Sequence, residues 1–252
     1  MSNILEKRIT FTPNNKCAIF VIHGFTGNIN DNNYLFNHAE YLVKPYDIYS
    51  FSLIGHLDKQ SSHIHKDDWY NQVKKEFEKL INKGYEEIIV KGESMGGTLA
   101  SIIASEYQEY VSACILTAPA TDWFRMEDLN LMAKRCTDLV GIACHKNNIE
   151  VSKLKPFTPS SIKEFLRLTK VHKDAINHIN CPTLIMHGDK DTLVPLRFSE
   201  ETFNKNQNIN FVKLNGADHW LTKHRATEFE IMNEFIKTNL TKQRTKKFKP
   251  VS

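Results

Sequence analysis

The chain has 252 residues, of which 41% are hydrophobic and 25% charged, and its formal net charge is +4. These values are typical of a globular protein that buries a full hydrophobic core, and no stretch approaches the roughly 20 apolar residues of a membrane-spanning helix. The charge is spread along most of the chain, so a nucleic-acid partner is not predicted.

Two strands are predicted near the N-terminus, over residues 7–11 and 17–22. The second is an uninterrupted apolar run, which is typical of a parallel strand buried on both faces. It ends at His23-Gly24-Phe25, where glycine allows the backbone to approach a ligand closely. The N–H of Phe25 is therefore a candidate donor to an oxyanion, the alternative being an ordinary strand-to-helix turn.

A helix is predicted over residues 32–42 and a strand over residues 47–52. The polar loop that follows contains His56, His63 and His65, to which no chemistry is assigned because loop histidines are usually solvated. Apolar residues then recur at steps of three and four from Trp69 to Leu80, a pattern that predicts an amphipathic helix on a sheet. Gly84 is expected to end this helix.

The most informative motif of the sequence is Gly92-Glu93-Ser94-Met95-Gly96. It lies between a predicted strand rich in β-branched residues at 87–90 and a predicted helix at 98–104. The spacing G-x-S-x-G at a strand-to-helix turn is that of a nucleophile elbow, which forces a serine into a strained, exposed position. Ser94 is the candidate nucleophile, and the N–H of Met95 is a candidate oxyanion donor. The five-residue motif is weak by itself, and the flanking strand and helix strengthen it.

After a strand predicted at 111–116, the alternation of strands and helices stops. Residues 122–180 contain no predicted strand long enough to extend the sheet, except for a short hairpin near 149–153. This stretch is predicted to be an inserted cap whose aromatic and methionine side chains line an acyl or alcohol pocket. The alternative is that these side chains only attach the insertion to the core. A helix is predicted over residues 162–170, with Ser161 and Glu164 as a capping box.

Strand and helix then alternate again, with strands at 181–186 and 210–214 and helices at 199–204 and 227–240. The carboxylates of Asp189 and Asp191 follow the first of these strands, and His219 follows the second. A serine needs an adjacent base, and the base needs an orienting carboxylate. The alternation predicts an α/β protein with a mostly parallel central sheet and helices on both faces, which places these loops at one edge.

The sequence resembles the α/β-hydrolase superfamily over nearly its whole length, and within it the small carboxylesterase and monoacylglycerol-lipase group. The resemblance lies in residues 23–27, 92–97, 182–195 and 216–219, and in the order serine, acid, histidine. It implies that Ser94 is the nucleophile, Asp191 the acid and His219 the base, with Phe25 and Met95 as backbone oxyanion donors. The family motif Gly-x-x-Asp selects Asp191 over Asp189, and Asp218 is interpreted as a turn former.

One departure is Gly55-His56-Leu57, where many relatives have Gly-His-Gly, so the shape of a loop near the pocket is expected to differ. The chain is predicted to consist of a core over residues 1–121 and 181–241, a cap over 122–180 and a basic tail over 242–252. The tail is interpreted as a solvated, frayed terminus, and contact with an acidic surface is the alternative.

The predicted function is a serine carboxylesterase that hydrolyses short- to medium-chain acyl esters through an acyl-enzyme, without a metal or organic cofactor. Monoacylglycerol lipase, thioesterase and aromatic-acid esterase are variants of the same chemistry. A peptidase or another acyltransferase on this scaffold is a further alternative. A non-catalytic ligand-binding protein is the alternative of another class, because fold does not fix function.

Five scattered cysteines without a C-x-x-C pair indicate a reducing compartment, and the N-terminus has no apolar leader, so a cytoplasmic location is expected. Cys136, Cys144 and His145 lack a fourth ligand at zinc-like spacing, and no metal site is predicted. The expected partner is a small ester substrate, without stable membrane insertion. The oligomeric state is left open, with a homodimer as one candidate.

Overall fold

The computed structural model describes residues 7–25, 27–56, 64–120, 159–204, 206 and 208–240. Its strands are β1 (Lys7–Ile9), β2 (Cys17–Ile22), β3 (Asp47–Phe51), β4 (Glu87–Glu93), β5 (Val111–Thr117), β6 (Thr183–Gly188) and β7 (Ile209–Leu214). Its α-helices are α1 (Asn33–Asn37), α2 (Lys66–Asn82), α3 (Met95–Glu106), α4 (Pro159–Val171), α5 (Leu196–Phe203) and α6 (Arg225–Leu240). The seven strands predicted within these residues are thus confirmed, with small shifts at their ends.

The strands form one seven-stranded sheet in the order β1-β3-β2-β4-β5-β6-β7. Strand β1 pairs antiparallel with β3, and the other described pairings are parallel. This is the α/β architecture predicted from the alternation of elements. Because the parallel strands point the same way, the loops after β2, β4, β6 and β7 meet at one edge of the sheet.

Helices cover both faces of the sheet, and alternate residues of one strand enter different cores. In β2, Phe20 and Ile22 join a cluster with α2, α3 and α4, whereas Ile19 and Val21 join a second cluster with α1 and α6. All six residues of β2 are buried. Burial on both sides explains why this strand is a continuous apolar run without polar alternation.

The helix predicted over residues 32–42 is wrong as a single element. The chain instead forms a 3₁₀ turn at Ile29–Asn32, the short helix α1 and a second 3₁₀ turn at Ala39–Tyr41. The side chain of Asn28 accepts from the N–H of Asn30, and Asp31 accepts from the N–H of Asn28. Such local side-chain bonds compete with a regular helix. The helical turns therefore begin at Ile29, before the predicted start at 32, and α1 ends at Asn37, before the predicted end at 42.

The capping box predicted at Ser161 and Glu164 is also wrong, because α4 already begins at Pro159. Proline is favoured in the first turn of a helix, where its fixed φ fits and its missing N–H costs nothing. Glu164 instead accepts from the backbone N–H of Lys66 at 3.2 Å and from Arg167 at 2.7 Å. It therefore links α4 to the start of α2. The predicted end of α2 is confirmed, since Gly84 follows it with φ +79°.

The described part of the predicted cap packs on the sheet layers. Phe165 and Leu168 of α4 are buried in the core that contains α2 and α3. The hairpin predicted near residues 149–153, most of the cap and the C-terminal tail lie outside the described residues. Among the residues that are described, no helix is both long and apolar enough to cross a bilayer.

Candidate active site

Ser94 occupies a strained turn between β4, which ends at Glu93, and α3, which begins at Met95. Its φ of 53° and ψ of −118° are rare for a residue with a side chain, and such a conformation persists only where surrounding contacts impose it. The N–H of Ser94 donates to the carbonyl of Thr117 at 3.0 Å, and its carbonyl accepts from Gly97 and Ala120. These bonds fix the turn from both sides.

The two glycines of the motif are required by close backbone contacts. A Cβ added to Gly92 would lie 2.2 Å from the carbonyl oxygen of Gly96, and one added to Gly96 would lie 2.2 Å from the carbonyl oxygen of Ile22. Neither oxygen belongs to a flexible side chain. The elbow therefore excludes any larger residue at these positions, as the sequence motif predicts.

The loop after β2 passes directly over the serine. A Cβ added to Gly24 would lie 3.2 Å from the Cβ of Ser94. The Nε2 atom of His23 accepts from the N–H of Leu53 at 2.9 Å, so Nδ1 carries the hydrogen and donates to the carbonyl of Gly24 at 2.8 Å. A buried histidine thus fixes the backbone that leads to Phe25.

The side chain of Phe25 is buried among aromatic rings. It stacks on Phe165 of α4 with centroids 4.9 Å apart, and it meets Trp69 and His56 edge to face. The packing of His56 against Phe25 and His23 differs from the solvated loop histidine expected from the sequence. Burial lowers the pKa of His56 to about 3, which keeps this ring neutral behind the loop.

His219, in the loop after β7, contacts the carboxylate of Asp191, in the loop after β6. The Nδ1 atom of His219 lies 2.6 Å from Oδ2 of Asp191. The other oxygen, Oδ1, accepts from the N–H groups of Leu193 and Val194, both at 2.8 Å. Burial raises the pKa of this carboxyl, but the His219 charge and hydrogen bonds from His219 and His187 outweigh it and hold the pKa well below its usual range.

The neighbouring carboxylates have other partners. Asp189 accepts from the N–H of Gly216 at 2.7 Å, which links the loop after β6 to the loop after β7. Asp218 accepts from the N–H and the hydroxyl of Thr222, at 2.8 and 2.9 Å, and forms a turn. Of the three, Asp191 is the one in contact with His219.

Ser94, His219 and Phe25 line one cleft. The other described residues that line it are Gly24, Gly27, Asp31, Glu93, Phe165, Leu193, Val194 and Trp220. The side chain of Asp191 is fully buried behind His219, and Met95 is buried as the first residue of α3. A hydroxyl and an imidazole thus face the same space between apolar and aromatic walls, an arrangement suited to acyl transfer.

A buried cluster of charges lies next to the elbow, and the sequence interpretation missed it. Lys91 and Glu93 of β4 meet Arg225 and Glu228 of α6, and we call these four residues the ion cluster. The Nζ atom of Lys91 is 3.1 Å from Glu93 and 3.2 Å from Glu228, and Arg225 is 2.8 Å from Glu93 and 2.7 Å from Glu228. The available signal was a lysine and a glutamate, Lys91 and Glu93, directly after the apolar run of residues 88–90 in a predicted buried strand.

Opposite charges within the ion cluster favour the ionised forms of Glu93 and Lys91. Burial alone would raise the pKa of Glu93, but the charges of Arg225 and Lys91 lower it to about 2. Burial would likewise lower the pKa of Lys91, but Glu228, Tyr34 and Glu93 raise it above its usual value. The ion cluster joins β4, the strand that leads to Ser94, to α6, the helix that follows the His219 loop.

The described residues contain no group of three or more histidine, cysteine, aspartate or glutamate side chains placed to hold a metal ion. Cys136, Cys144 and His145, which were considered as ligands, lie outside the described residues.

A family model for the alpha/beta hydrolase fold matches residues 18–135. A candidate esterase/lipase of Mycoplasma genitalium, esterase/lipase 2, is 24% identical over 270 residues, covering 96% of this chain and 97% of that protein. A carboxylesterase of Bacillus subtilis is 32% identical over 103 residues, which cover 40% of each chain.

Among solved structures, one from a study of carboxylesterases of the thaumarchaeon Nitrososphaera gargenis superimposes with a TM-score of 0.74. It shares 14% sequence identity and covers 94% of this chain and 96% of its own. At 14% identity, this structural similarity supports an assignment of the fold and nothing further.

Proposed function

We propose that the chain is a serine carboxylesterase of the α/β-hydrolase superfamily, because residues 18–135 match a model of the alpha/beta hydrolase fold and the chain is similar to esterases and lipases. Its substrates are short- to medium-chain acyl esters. The observation that carries the proposal is the pairing of His219 with the buried Asp191, at 2.6 Å, in the cleft that Ser94 also lines.

In the first half of the reaction, His219 removes the hydroxyl proton of Ser94 while the serine oxygen attacks the ester carbonyl. Asp191 holds the imidazole by its Nδ1–H and stabilises the charge that the ring acquires. The backbone N–H groups of Phe25 and Met95 bind the oxyanion that develops on the carbonyl oxygen. His219 then returns the proton to the leaving alcohol, and the acyl group remains on Ser94.

In the second half, water enters the place of the alcohol. His219 takes a proton from the water as its oxygen attacks the acyl carbonyl, and the tetrahedral species collapses with protonation of Ser94 Oγ. The acid is released and the enzyme is restored. Every proton is carried by His219, so these steps require no cofactor.

The experiment is hydrolysis of a chain-length series of p-nitrophenyl esters by the native protein, Ser94→Ala and Ser105→Ala. Ser105 is also on α3, and its hydroxyl donates to the carbonyl of Ile102, away from the cleft. We expect Ser94→Ala to lose activity by about a thousandfold or more, as removal of a catalytic serine does. Ser105→Ala should retain the native rate. The acyl chain length that the native protein hydrolyses fastest then indicates the size of the acyl pocket.

Equal rates for the native protein and Ser94→Ala would contradict a serine mechanism. If all three proteins are folded and inert towards every ester, the carboxylesterase proposal fails, and the non-catalytic binding alternative becomes the better account. Turnover of thioesters or aromatic-acid esters, with the same dependence on Ser94, would keep the mechanism and change the substrate class.

A further inference from the structure

A second histidine, His187, contacts the carboxylate that His219 uses. It lies in β6, four residues before Asp191, and its side chain is fully buried. Its Nε2 atom is 3.0 Å from Oδ2 of Asp191 and 3.0 Å from the carbonyl oxygen of Val194. Its Nδ1 atom is 2.7 Å from the hydroxyl oxygen of Ser199 in α5.

These contacts fix which nitrogen carries the hydrogen. Both neighbours of Nε2 are acceptors, so Nε2 must carry the hydrogen; it donates to the carbonyl of Val194 and lies 3.0 Å from Oδ2 of Asp191. The neutral ring then accepts at Nδ1 from the hydroxyl of Ser199. Ser199 thus favours the tautomer that Asp191 requires.

We propose that His187 is a positioning residue for the catalytic acid, which holds the Asp191 carboxylate in the orientation that His219 needs. The inference rests on the proposed function, since the acid has a role only if the serine reaction occurs. Oδ2 is then fixed by two imidazole N–H groups, and Oδ1 by two backbone N–H groups. Rotation of the carboxylate would break bonds at both oxygens.

The hydrogen bond from His187 also favours the ionised form of the acid. It is among the causes that hold the pKa of Asp191 low against its burial. Among the described residues, His187 and His219 are the titratable groups in contact with Asp191. Without His187, Oδ2 keeps a single side-chain donor, His219, and that ring must gain and lose a proton during catalysis.

A purely structural role is the competing explanation, because His187 also joins β6 to α5 through Ser199. The two roles differ in what they require at Nε2. Positioning requires a donor that reaches Asp191, and its loss lowers kcat selectively, whereas the links to Ser199 and Val194 by themselves affect stability. Glutamine can place an amide N–H near the Nε2 position, and leucine fills a similar volume without a donor.

The test compares His187→Leu with His187→Gln in kcat, in KM and in thermal unfolding. We expect His187→Leu to lower kcat by about 10- to 100-fold, the usual scale for a lost hydrogen bond to a charged group, with KM within about threefold of native. His187→Gln should restore kcat to within about fivefold of native. Thr202→Val is the matched control, because it removes a buried hydrogen bond of α5, from Thr202 to Phe198, without touching Asp191.

The inference is overturned if His187→Leu keeps kcat within about threefold of native. It is also overturned if kcat falls equally in His187→Leu, His187→Gln and Thr202→Val in proportion to their loss of stability. If His187→Leu does not fold, a long-range ¹H–¹⁵N spectrum of the native histidine rings decides. A hydrogen on Nε2 of His187 is the expected result, and a hydrogen on Nδ1 overturns the inference.

The outcomes separate this inference from the proposed function. If neither the native protein nor Ser94→Ala hydrolyses the esters, the carboxylesterase proposal is rejected. The histidine spectrum would still show whether Nε2 of His187 carries the hydrogen that a bond to Asp191 requires. Normal hydrolysis by the native protein together with an unaffected His187→Leu would reject the positioning role alone.

Discussion

At the scale of single residues, two carboxylates that are two positions apart have different environments. The side chain of Asp191 is fully buried, and its carboxylate contacts two imidazoles and two backbone N–H groups. Asp189 is partly exposed and accepts from the N–H of Gly216. Only the first of these environments orients a histidine, so the two residues should respond differently to the same substitution.

We expect Asp191→Asn to lower kcat by about 10⁴-fold, because an amide cannot both accept from Nδ1 of His219 and stabilise the protonated ring. Asp189→Asn should lower kcat by less than about tenfold, since the amide oxygen can still accept from Gly216. Both are measured by ester hydrolysis at neutral pH. A larger loss in Asp189→Asn than in Asp191→Asn would reverse the assignment of the acid.

At the scale of elements, the ion cluster joins two segments that are far apart in sequence. Lys91 lies in the central strand β4 with no exposed side-chain surface, and its partner Glu228 in α6 is equally buried. Tyr34, near the start of α1, donates to Glu228 at 2.8 Å and lies against both cations. Removing Lys91 would leave two buried carboxylates with Arg225 as the single cation of the ion cluster, so one negative charge would lack compensation.

Lys91→Met should therefore reduce the free energy of unfolding by about 3–5 kcal/mol. The matched control is Lys237→Met, because Lys237 and its partner Glu234 are both well exposed, and the expected loss there is about 1 kcal/mol or less. Urea denaturation of the two variants and the native protein measures both values. Similar losses in the two variants would show that the cluster does not depend on the charge of Lys91.

At the scale of the whole molecule, stability should depend on acid pH. The folded protein holds the pKa of Glu93 at about 2 and that of Asp191 well below its usual range, whereas both are ordinary in the unfolded chain. The unfolded state therefore binds protons first as the pH falls. The stabilisation is complete above the ordinary carboxyl pKa values and is lost as the pH falls through the folded values.

We expect the free energy of unfolding to fall between about pH 4.5 and pH 2, with Glu93 contributing up to about 1.4 kcal/mol per pH unit. Glu93→Gln should flatten this slope, although it also lowers stability at neutral pH by breaking the ion cluster. Glu234→Gln, at an exposed position, controls for the change in net charge. Equal slopes for the native protein and Glu93→Gln would contradict the linkage.

Much of the fold was predictable from local patterns. The apolar run of β2, the spacing in α2 and the strand-to-helix turn at Ser94 depend on neighbours within a few residues, and each was confirmed. The errors were local as well. Asn28 and Pro159 change where helices begin, through one side-chain bond and one fixed dihedral, and such effects move an element end by several residues.

Periodicity and turn chemistry act over short distances, so the order of strands and helices and the edge where the candidate residues meet could be predicted before the structure. The motif Gly-x-x-Asp likewise favoured Asp191 over Asp189. The three-dimensional structure was needed to see that His187 contacts the same carboxylate as His219, and that Lys91 of β4 meets Glu228 of α6. These pairings depend on strand register and on the packing of helices on the sheet. Such contacts join residues far apart in the chain, and no local pattern encodes them.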